Sequence, residues 1–235
     1  MPQCLRGNII TMCGRKTLTK DMQSIIEELA IEEWENPDNY LPSYNIAPTQ
    51  NSPILIDNGK RIVKSMRWGL ISSWAKDQKF GARMINARIE TLTEKPSYRN
   101  LVSDNRCIVI ADGYYEWKMV GDKKVPYYFK DPDNKLLPMA GLYDAWKHPD
   151  GYIIPSYTII TKEAQKNIAE IHNRMPIILT QAHLDKWLKT ENFSVPIALE
   201  IASNSRIVLD KYPVSSLVNF AKNNSPDCIL PTINT

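Results

Sequence analysis

The sequence is poor in the residues that build metal sites and disulfide frameworks. It has three histidines and four cysteines among 235 residues, and the cysteines, at positions 4, 13, 107 and 228, form no Cys-x-x-Cys pair. Such scattered thiols argue against a zinc site and against paired disulfides. We therefore expect reduced cysteines in a cytoplasmic protein that uses no metal and no other cofactor.

Long apolar runs, linkers and repeats are also missing. No uncharged apolar stretch reaches the roughly 18 residues that a membrane span needs. The opening segment, MPQCLRGNII, is too short and too polar for a signal peptide. No Gly/Ser linker, internal repeat or low-complexity tract divides the chain. We expect one domain, soluble and intracellular, without a membrane partner.

Neither sign of charge dominates the composition. Lys and Arg total 29 against 26 Asp and Glu, which gives a net charge of +3 at pH 7. This balance permits a polyanionic partner without demanding one, so a local basic patch would have to carry such binding.

Strand signals dominate the middle of the chain. The segments 53–56 and 61–70 flank the turn 57–60 and predict a hairpin, with Asn58-Gly59 suited to a type I′ turn. Trp68 alternates in this hairpin like a core residue. Further short runs are rich in β-branched and aromatic residues, at 107–111, 114–118, 125–130, 136–143 and 156–161. Their spacing predicts a curled or barrel-like antiparallel sheet.

Short helices flank this β-rich centre. Thr19 can cap a helix whose apolar residues, from Met22 to Leu29, follow the 3.6-residue period. Further helices are predicted at 162–171, after Gln181 and at 197–202. The fold class is therefore α+β.

Cys13 directly follows Met12, a second methionine where a chain could start. If the working chain began at Met12, removal of that methionine would leave Cys13 with a free α-amine beside its thiol. On these letters alone, the favoured interpretation is that the two residues belong to an ordinary opening strand.

Three other residues are candidates for chemistry. His172 is placed where a predicted helix ends, and a helix C-terminus favours a protonated imidazole that suits a general acid. A structural hydrogen-bonding role is the alternative. Glu116 lies in an aromatic strand, where an inward orientation would raise its pKa and an outward one would leave it solvated. Asn86 precedes Arg88, so an amide and a phosphate-binding guanidinium lie on neighbouring backbone.

Positive charge and one exposed aromatic residue complete the candidates. Arg15 and Lys95 add to the positive charge of the first half, although for each residue alone a solvated surface group is the favoured interpretation. Trp74 follows Ser72-Ser73 in a predicted loop and is the better tryptophan for stacking on an unpaired base.

Ten short motifs, in order from Met12 to about Cys228, resemble the SRAP family, named as SOS-response-associated peptidases and understood as abasic-site processing proteins. The motifs are MCGR (12–15), YNIAP (44–48), RWGL (67–70), W-A-K (74–76), MINAR-ET (84–91), ADGYYEW (111–117), AGLY (140–143), TIIT (158–161), IHNRMP (171–176) and PVSSLVN (213–219). Residues 1–11 precede the usual Met-Cys-Gly-Arg start, so we expect a leader at 1–11, absent from the mature chain, and a single SRAP domain at 12–235. Lys16 departs from the family pattern, where an aromatic residue is usual, and Asn173 stands where aspartate is frequent, a change expected to weaken the orientation of His172.

The resemblance implies a monomeric enzyme of the DNA-damage response that senses abasic sites in single-stranded or junction DNA. N-terminal Cys13 forms a covalent thiazolidine crosslink that shields the lesion, and an AP-lyase activity accompanies it. Localisation would be cytoplasmic, at the nucleoid when the protein is bound to DNA. The implied catalytic residues are Cys13, Asn86, Glu116 and His172, and the implied DNA-binding residues are Arg15, Trp74, Arg88, Lys95 and Thr161, with no metal ligand.

Two other function classes fit the same residues. A thiol peptidase, acting on its own leader or on other chains, would use Cys13 as nucleophile, His172 as base and Glu116 as orienter. A non-catalytic nucleic-acid-binding module of barrel type would use only the basic and aromatic residues.

Overall fold

A computed structural model describes residues 13–189, 196, 199–201 and 207–232. The strands with bounds in these ranges are β1 (Lys16–Leu18), β2 (Glu33–Trp34), β3 (Ser43–Ile46), β4 (Asn51–Asp57), β5 (Arg61–Trp68), β6 (Asn86–Arg88), β7 (Arg106–Val109), β8 (Gly113–Val120), β9 (Lys123–Lys130), β10 (Met139–Lys147), β11 (Ile153–Glu163), β12 (Arg174–Pro176) and β13 (Asp210–Pro213). The α-helices with bounds there are α1 (Met22–Leu29), α2 (Leu101–Asp104), α3 (Lys166–Ala169) and α4 (Gln181–Leu188).

Five strands close into a barrel. Antiparallel pairs join β5 to β4, β4 to β7, β7 to β10 and β10 to β11. A parallel contact between β11 and β5 closes the ring, with Tyr157 opposite Trp68. A ring with an odd number of strands cannot alternate direction throughout, so one neighbouring pair must be parallel. The predicted α+β class and barrel-like sheet are confirmed, and the barrel is mixed rather than wholly antiparallel.

The β4–β5 hairpin is confirmed, but its predicted turn type is wrong. Asp57 pairs with Arg61, so three residues form the loop. Gly59 has a φ of 99°, whereas Asn58 has no positive φ. A type I′ turn needs positive φ at both central residues, and the extra loop residue removes that need.

The first predicted helix is confirmed as α1, with a different N-cap. Asp21 is the cap, and its side chain accepts a hydrogen bond from the Ser24 backbone nitrogen. The Thr19 hydroxyl donates instead to the Asp112 carboxylate, at 2.8 Å. Asp112 therefore ties the segment before the helix to the start of β8.

The remaining segments follow the predictions unevenly. Strands β7, β8, β9 and β11 and helix α4 lie where they were predicted. Strand β10 begins after Pro138, which has no N–H for a ladder. The helix predicted at 162–171 shrinks to α3, because β11 continues through Glu163. Of the helix predicted at 197–202, residues 199–201 are helical, and the other three lie outside the described residues.

Strand β11 holds the parts of the molecule that surround the candidate site. Its second half pairs in parallel with β6, placing Arg88 opposite Thr161, and antiparallel with β12. A second sheet, in the order β13-β9-β8-β1-β3, carries the other side. The site therefore lies where the extended barrel sheet meets the second sheet.

The barrel interior is apolar and well filled. Trp68 is completely buried, as predicted, and stacks on Tyr157 with ring centroids 6.2 Å apart. The Tyr157 hydroxyl hydrogen-bonds to the Ser52 hydroxyl at 2.8 Å. Among the described residues, no helix combines the length and apolar character that crossing a membrane takes.

Gly69 ends the barrel strand that leads to the Trp74 loop, and we expect Gly69→Ala to destabilise the protein. Gly69 has a φ of +117°, and an added Cβ would lie 2.5 Å from the Gly81 carbonyl oxygen. Gly151 has a φ of +98° with nothing within 4 Å of its Cβ position, so Gly151→Ala is the matched control. The control carries only the backbone penalty, about 1–2 kcal/mol, and Gly69→Ala should lose about 1–3 kcal/mol more. Urea unfolding measures both; equal losses would mean that the Gly69–Gly81 contact relaxes without cost.

Candidate active site

Glu116 points inward from β8. It is 1% exposed, and its Oε1 accepts a hydrogen bond of 2.7 Å from the Cys13 backbone nitrogen, 103 residues away in sequence. The orientation that the sequence left open is thereby decided: the carboxyl belongs to the interior. Burial raises the pKa of Glu116 to about 8, and the hydrogen bond from Cys13 opposes that rise. Near neutral pH the group is therefore poised to gain or lose a proton.

Cys13 lies three residues before β1, in a left-handed backbone conformation with a φ of 32°. Its side chain is buried. Burial raises the pKa of the thiol well above its ordinary value, the charge of Glu116 raises it further, and Lys16 lowers it in part. Because residue 12 precedes Cys13 in this sequence, the nitrogen that contacts Glu116 is an amide rather than an amine.

Asn86 reaches the same point from β6. Its side-chain Nδ2 donates to the Cys13 carbonyl oxygen at 3.4 Å. Its own backbone carbonyl accepts from the Tyr98 hydroxyl, also at 3.4 Å. The strand pairing with β11 thus places an amide donor against the backbone of the candidate nucleophile.

His172 lies in the turn between α3 and β12. Its Nδ1 accepts a hydrogen bond of 3.1 Å from the Arg174 backbone nitrogen and lies 4.0 Å from Glu116 Oε1. Burial lowers the pKa of His172. The expectation of a helix end that favours imidazolium is therefore wrong, since the four-residue α3 has little dipole to offer and desolvation favours the neutral ring.

Asn173, expected to weaken the orientation of His172, makes no hydrogen bond to the ring in the described part of the chain. The backbone amide of Arg174 holds Nδ1 instead, which leaves Nε2 for a reacting group. Asn173 contributes its backbone carbonyl, which accepts from the Ala164 nitrogen at 3.0 Å.

A groove of about 740 Å³ opens over Glu116 and His172. Gly14, Arg15, Glu116, Trp117 and His172 are among the residues that line it. Arg15 is half-buried there and donates to the Asn45 side chain and to the carbonyls of Val218 and Asn219. Its first role in the fold is thus to fasten the 216–219 segment to β1.

The other predicted DNA-binding residues lie in different surroundings. Arg88 is exposed, and the alternation of β6 puts it on the same face as Asn86. Lys95 is exposed as well. Trp74 is 60% exposed and packs beside Phe80 with ring centroids 6.0 Å apart. Thr161 is completely buried, and its hydroxyl donates to the Ala87 carbonyl at 3.4 Å. It therefore stabilises β6 and does not lie at the surface.

Sequence reasoning missed an ion pair at the edge of the site. Arg174 donates to both carboxylate oxygens of Glu90, at 2.6 and 2.9 Å, and to the Thr161 carbonyl at 2.7 Å. The pair joins the segment after β6 to β12, and so links Asn86 with His172. Its residues stand inside the quoted motifs 84–91 and 171–176, but nothing in the letters indicates that the two segments are neighbours.

Within the ranges that the structure describes, no three His, Cys, Asp or Glu side chains gather closely enough to hold a metal ion.

The raised pKa of Glu116 predicts a pH-dependent stability difference. The native state holds the proton to about pH 8 and the unfolded chain releases it near its ordinary value of 4.5, so stability falls as pH rises between them. Glu116→Gln removes this contribution. The free energy of unfolding of Glu116→Gln, minus that of the native chain, should therefore increase by about 1–3 kcal/mol between pH 5 and 8. Urea unfolding across that range measures it, with the exposed Glu94→Gln as control. An advantage that stays flat with pH would show that the carboxyl is ionised throughout.

Comparisons with known proteins agree on one family. Residues 12–221 match the family described as "SOS response associated peptidase (SRAP)". Over 223 residues the chain is 44% identical to "Abasic site processing protein YoqW" of Bacillus subtilis (strain 168), covering 93% of this chain and 99% of that protein. It is 34% identical to "Abasic site processing protein HMCES" of Pongo abelii, covering 94% of this chain and 76% of that protein. The crystal structure of a protein from Bacteroides thetaiotaomicron matches with a TM-score of 0.82 at 26% identity, covering 94% of this chain and 100% of that one. These matches confirm the resemblance found in the motifs: the chain belongs to the SRAP family.

Proposed function

We propose that this protein processes abasic sites in DNA by forming a covalent crosslink through Cys13. The observation that carries the proposal is the 2.7 Å contact between the Cys13 nitrogen and the buried Glu116 carboxyl, with His172 at 4.0 Å from the same oxygen. The related proteins named as abasic site processing proteins support the substrate.

The chemistry requires Cys13 to be the first residue. An abasic deoxyribose is partly an open-chain aldehyde. An α-amine condenses with its C1′ carbon and releases water, and the neighbouring thiol then adds to the imine carbon and closes a five-membered thiazolidine. An α-amine, with a pKa of roughly 7.7–8 against about 10.4 for lysine, is far more often neutral and nucleophilic near pH 7. Met12 would then be the initiator that is removed.

Glu116 is the proton shuttle of this proposal. In its protonated form it donates to the hydroxyl that leaves as water during imine formation. In its ionised form it removes a proton from C2′, which expels the 3′ phosphate by β-elimination and accounts for the lyase activity. Burial gives one carboxyl both forms near neutral pH.

His172 and Asn86 act from the other side of the sugar. With Nδ1 held by the Arg174 amide, neutral His172 presents Nε2–H to the deoxyribose oxygen and assists ring opening and reversal of the adduct. The Asn86 side chain fixes the backbone of Cys13 by donating a hydrogen bond to the Cys13 carbonyl oxygen. Thr161 contributes indirectly, since its carbonyl holds the Arg174 guanidinium.

The DNA is single-stranded or at a junction, because a stacked duplex shields the aldehyde. Arg88 and Lys95 are exposed and would meet phosphates. Trp74 and Phe80 border a groove of about 650 Å³ with Lys76, Lys79 and Arg83, where a base can stack beside positive charge. Arg15, in the groove beside Glu116 and His172, would bind a flanking phosphate. We expect a monomer to suffice, since all of these groups belong to one chain.

The peptidase alternative fits the geometry less well. A thiol peptidase needs the carboxyl to orient the imidazole, yet Glu116 hydrogen-bonds to the Cys13 nitrogen and the His172 Nδ1 is held by Arg174. A binding module without chemistry would gain nothing from burying a carboxyl whose pKa is raised to about 8.

Cys13→Ser should bind an abasic single strand but lose the denaturation-resistant adduct, because a hydroxyl is a poor ring-closing nucleophile. Cys228→Ser is the matched control, since Cys228 is also buried. Gel shift measures binding, and a denaturing gel measures the adduct. Loss of the adduct in Cys228→Ser but not in Cys13→Ser would overturn the nucleophile assignment; a cleaved peptide substrate without any adduct would favour the peptidase.

Glu116→Gln and His172→Gln should change different steps of the reaction. The first keeps size and hydrogen bonding but removes the titrating proton, so crosslinking should slow by about 10²-fold or more, and strand cleavage should fall further. The second should slow crosslinking less and alter how long the adduct persists. Time courses that score adduct and nicked strand separately measure both; uniform, equal slowing would mean that the two residues only position the sugar.

A further inference from the structure

Two side chains of β10 hold the loop that carries Trp74. The Asp144 Oδ2 accepts a hydrogen bond of 2.7 Å from the Ser73 backbone nitrogen. The Trp146 Nε1 donates a hydrogen bond of 2.6 Å to the Ala75 carbonyl oxygen. Trp74 lies between these two contacts, so the backbone is fastened to the barrel immediately before it and immediately after it.

The two side chains share one face of β10. Asp144 and Trp146 are two residues apart in the strand, and successive side chains of a strand point to opposite faces. Trp146 is buried, and His148 packs edge-on against its indole with ring centroids 5.4 Å apart. The indole is therefore held by packing as well as by its hydrogen bond to the loop.

The loop depends on such contacts because it contains no ladder of its own. Trp74 belongs to none of the helices and strands of the described chain. Within the loop, the Ala75 backbone nitrogen donates to the Ser72 carbonyl oxygen at 2.8 Å. A stacking residue on an unfastened loop would lose conformational freedom when DNA binds, and that loss would weaken binding.

We propose that Asp144 and Trp146 are positioning residues that preorganise Trp74 for stacking on an unpaired base. Their hydrogen bonds order the loop before DNA arrives, so less ordering remains to oppose binding. The Asp144 carboxylate would repel a phosphate, so it favours DNA binding only through the loop. This inference rests on the proposed function, in which Trp74 contacts the DNA.

The sign of the effect separates positioning from electrostatics. Removal of a carboxylate lessens repulsion of the DNA backbone and should by itself strengthen binding. Removal of a contact that orders the loop should weaken binding. Asp144→Ala does both, whereas Asp144→Asn removes the charge and keeps an oxygen that can accept from the Ser73 nitrogen. The two variants should therefore differ.

The test measures binding of a fluorescent single strand with an abasic site by anisotropy, in Cys13→Ser chains so that binding stays reversible. Asp144→Ala should weaken binding about 3- to 10-fold, and Trp146→Phe, which removes the indole N–H, should act in the same direction. Asp144→Asn should bind at least as tightly as the chain without it. Asp122→Ala is the matched control, because Asp122 is an exposed carboxylate in the turn between β8 and β9, and it should not weaken binding.

A double-mutant cycle decides whether Asp144 acts through Trp74. Trp74→Ala should weaken binding about 5-fold or more, because it removes the stacking ring. Adding Asp144→Ala to Trp74→Ala should then change the affinity by less than about 2-fold. A further loss as large as that of Asp144→Ala alone would overturn the inference, and so would an Asp144→Ala chain that binds as tightly as its parent.

Hydrogen exchange of the Ser73 amide gives a readout without DNA. It should be faster in Asp144→Ala, while the amides of β11 keep their rates and so show an intact barrel. Equal Ser73 exchange in both chains would overturn the inference. Adduct formation is scored separately in chains that keep Cys13. A chain that shows the predicted binding pattern but forms no adduct would retain the inference and reject the proposed function, and a chain that binds no DNA would reject both.

Discussion

The hydrogen bond between the Cys13 backbone nitrogen and the Glu116 carboxyl is the contact on which the rest of the site depends. It joins Cys13, ahead of β1, to the interior of β8 at 2.7 Å, and so adds to the ladder between these two strands. Asn86 and His172 approach the same point from the barrel side, on segments that β11 and the Glu90–Arg174 pair hold in place. The site is thus a junction of two sheets, closed by one buried carboxyl.

Burial shifts the pKa values of the groups at this junction, and it also lowers the stability of the fold there. The pKa of Glu116 is raised to about 8 and that of Lys16 is lowered to about 7, both by desolvation. Each shift means that the ordinary charged form is destabilised by the fold. The apolar barrel, with Trp68 and Tyr157 stacked at its closing contact, supplies stability that offsets this cost. Stability is lowered where the proposed proton transfers would take place.

The sequence predicted where the strands and helices lie along the chain better than it predicted which of them are neighbours in the fold. Alternating apolar residues gave β4, β5 and most later strands, because a half-buried strand leaves a local pattern. The pairing of β11 with β5, β6 and β12 is not local, so no pattern could show that Asn86 and His172 meet at Cys13; the family motifs supplied that grouping. The inward orientation of Glu116 and the lowered pKa of His172 depend on the tertiary fold, which the letters do not record.

The central claim is that the α-amine and thiol of Cys13 react together, and the most direct measurement compares two purified chains. One begins at Cys13 and the other retains Met12, which ties the same nitrogen into a peptide bond. Each is incubated with an abasic single strand, denatured and weighed intact. The account predicts an adduct of protein plus DNA less one water for the chain that begins at Cys13, and none for the chain that retains Met12. An equal adduct from both chains would contradict it, because the crosslink would then need no free α-amine.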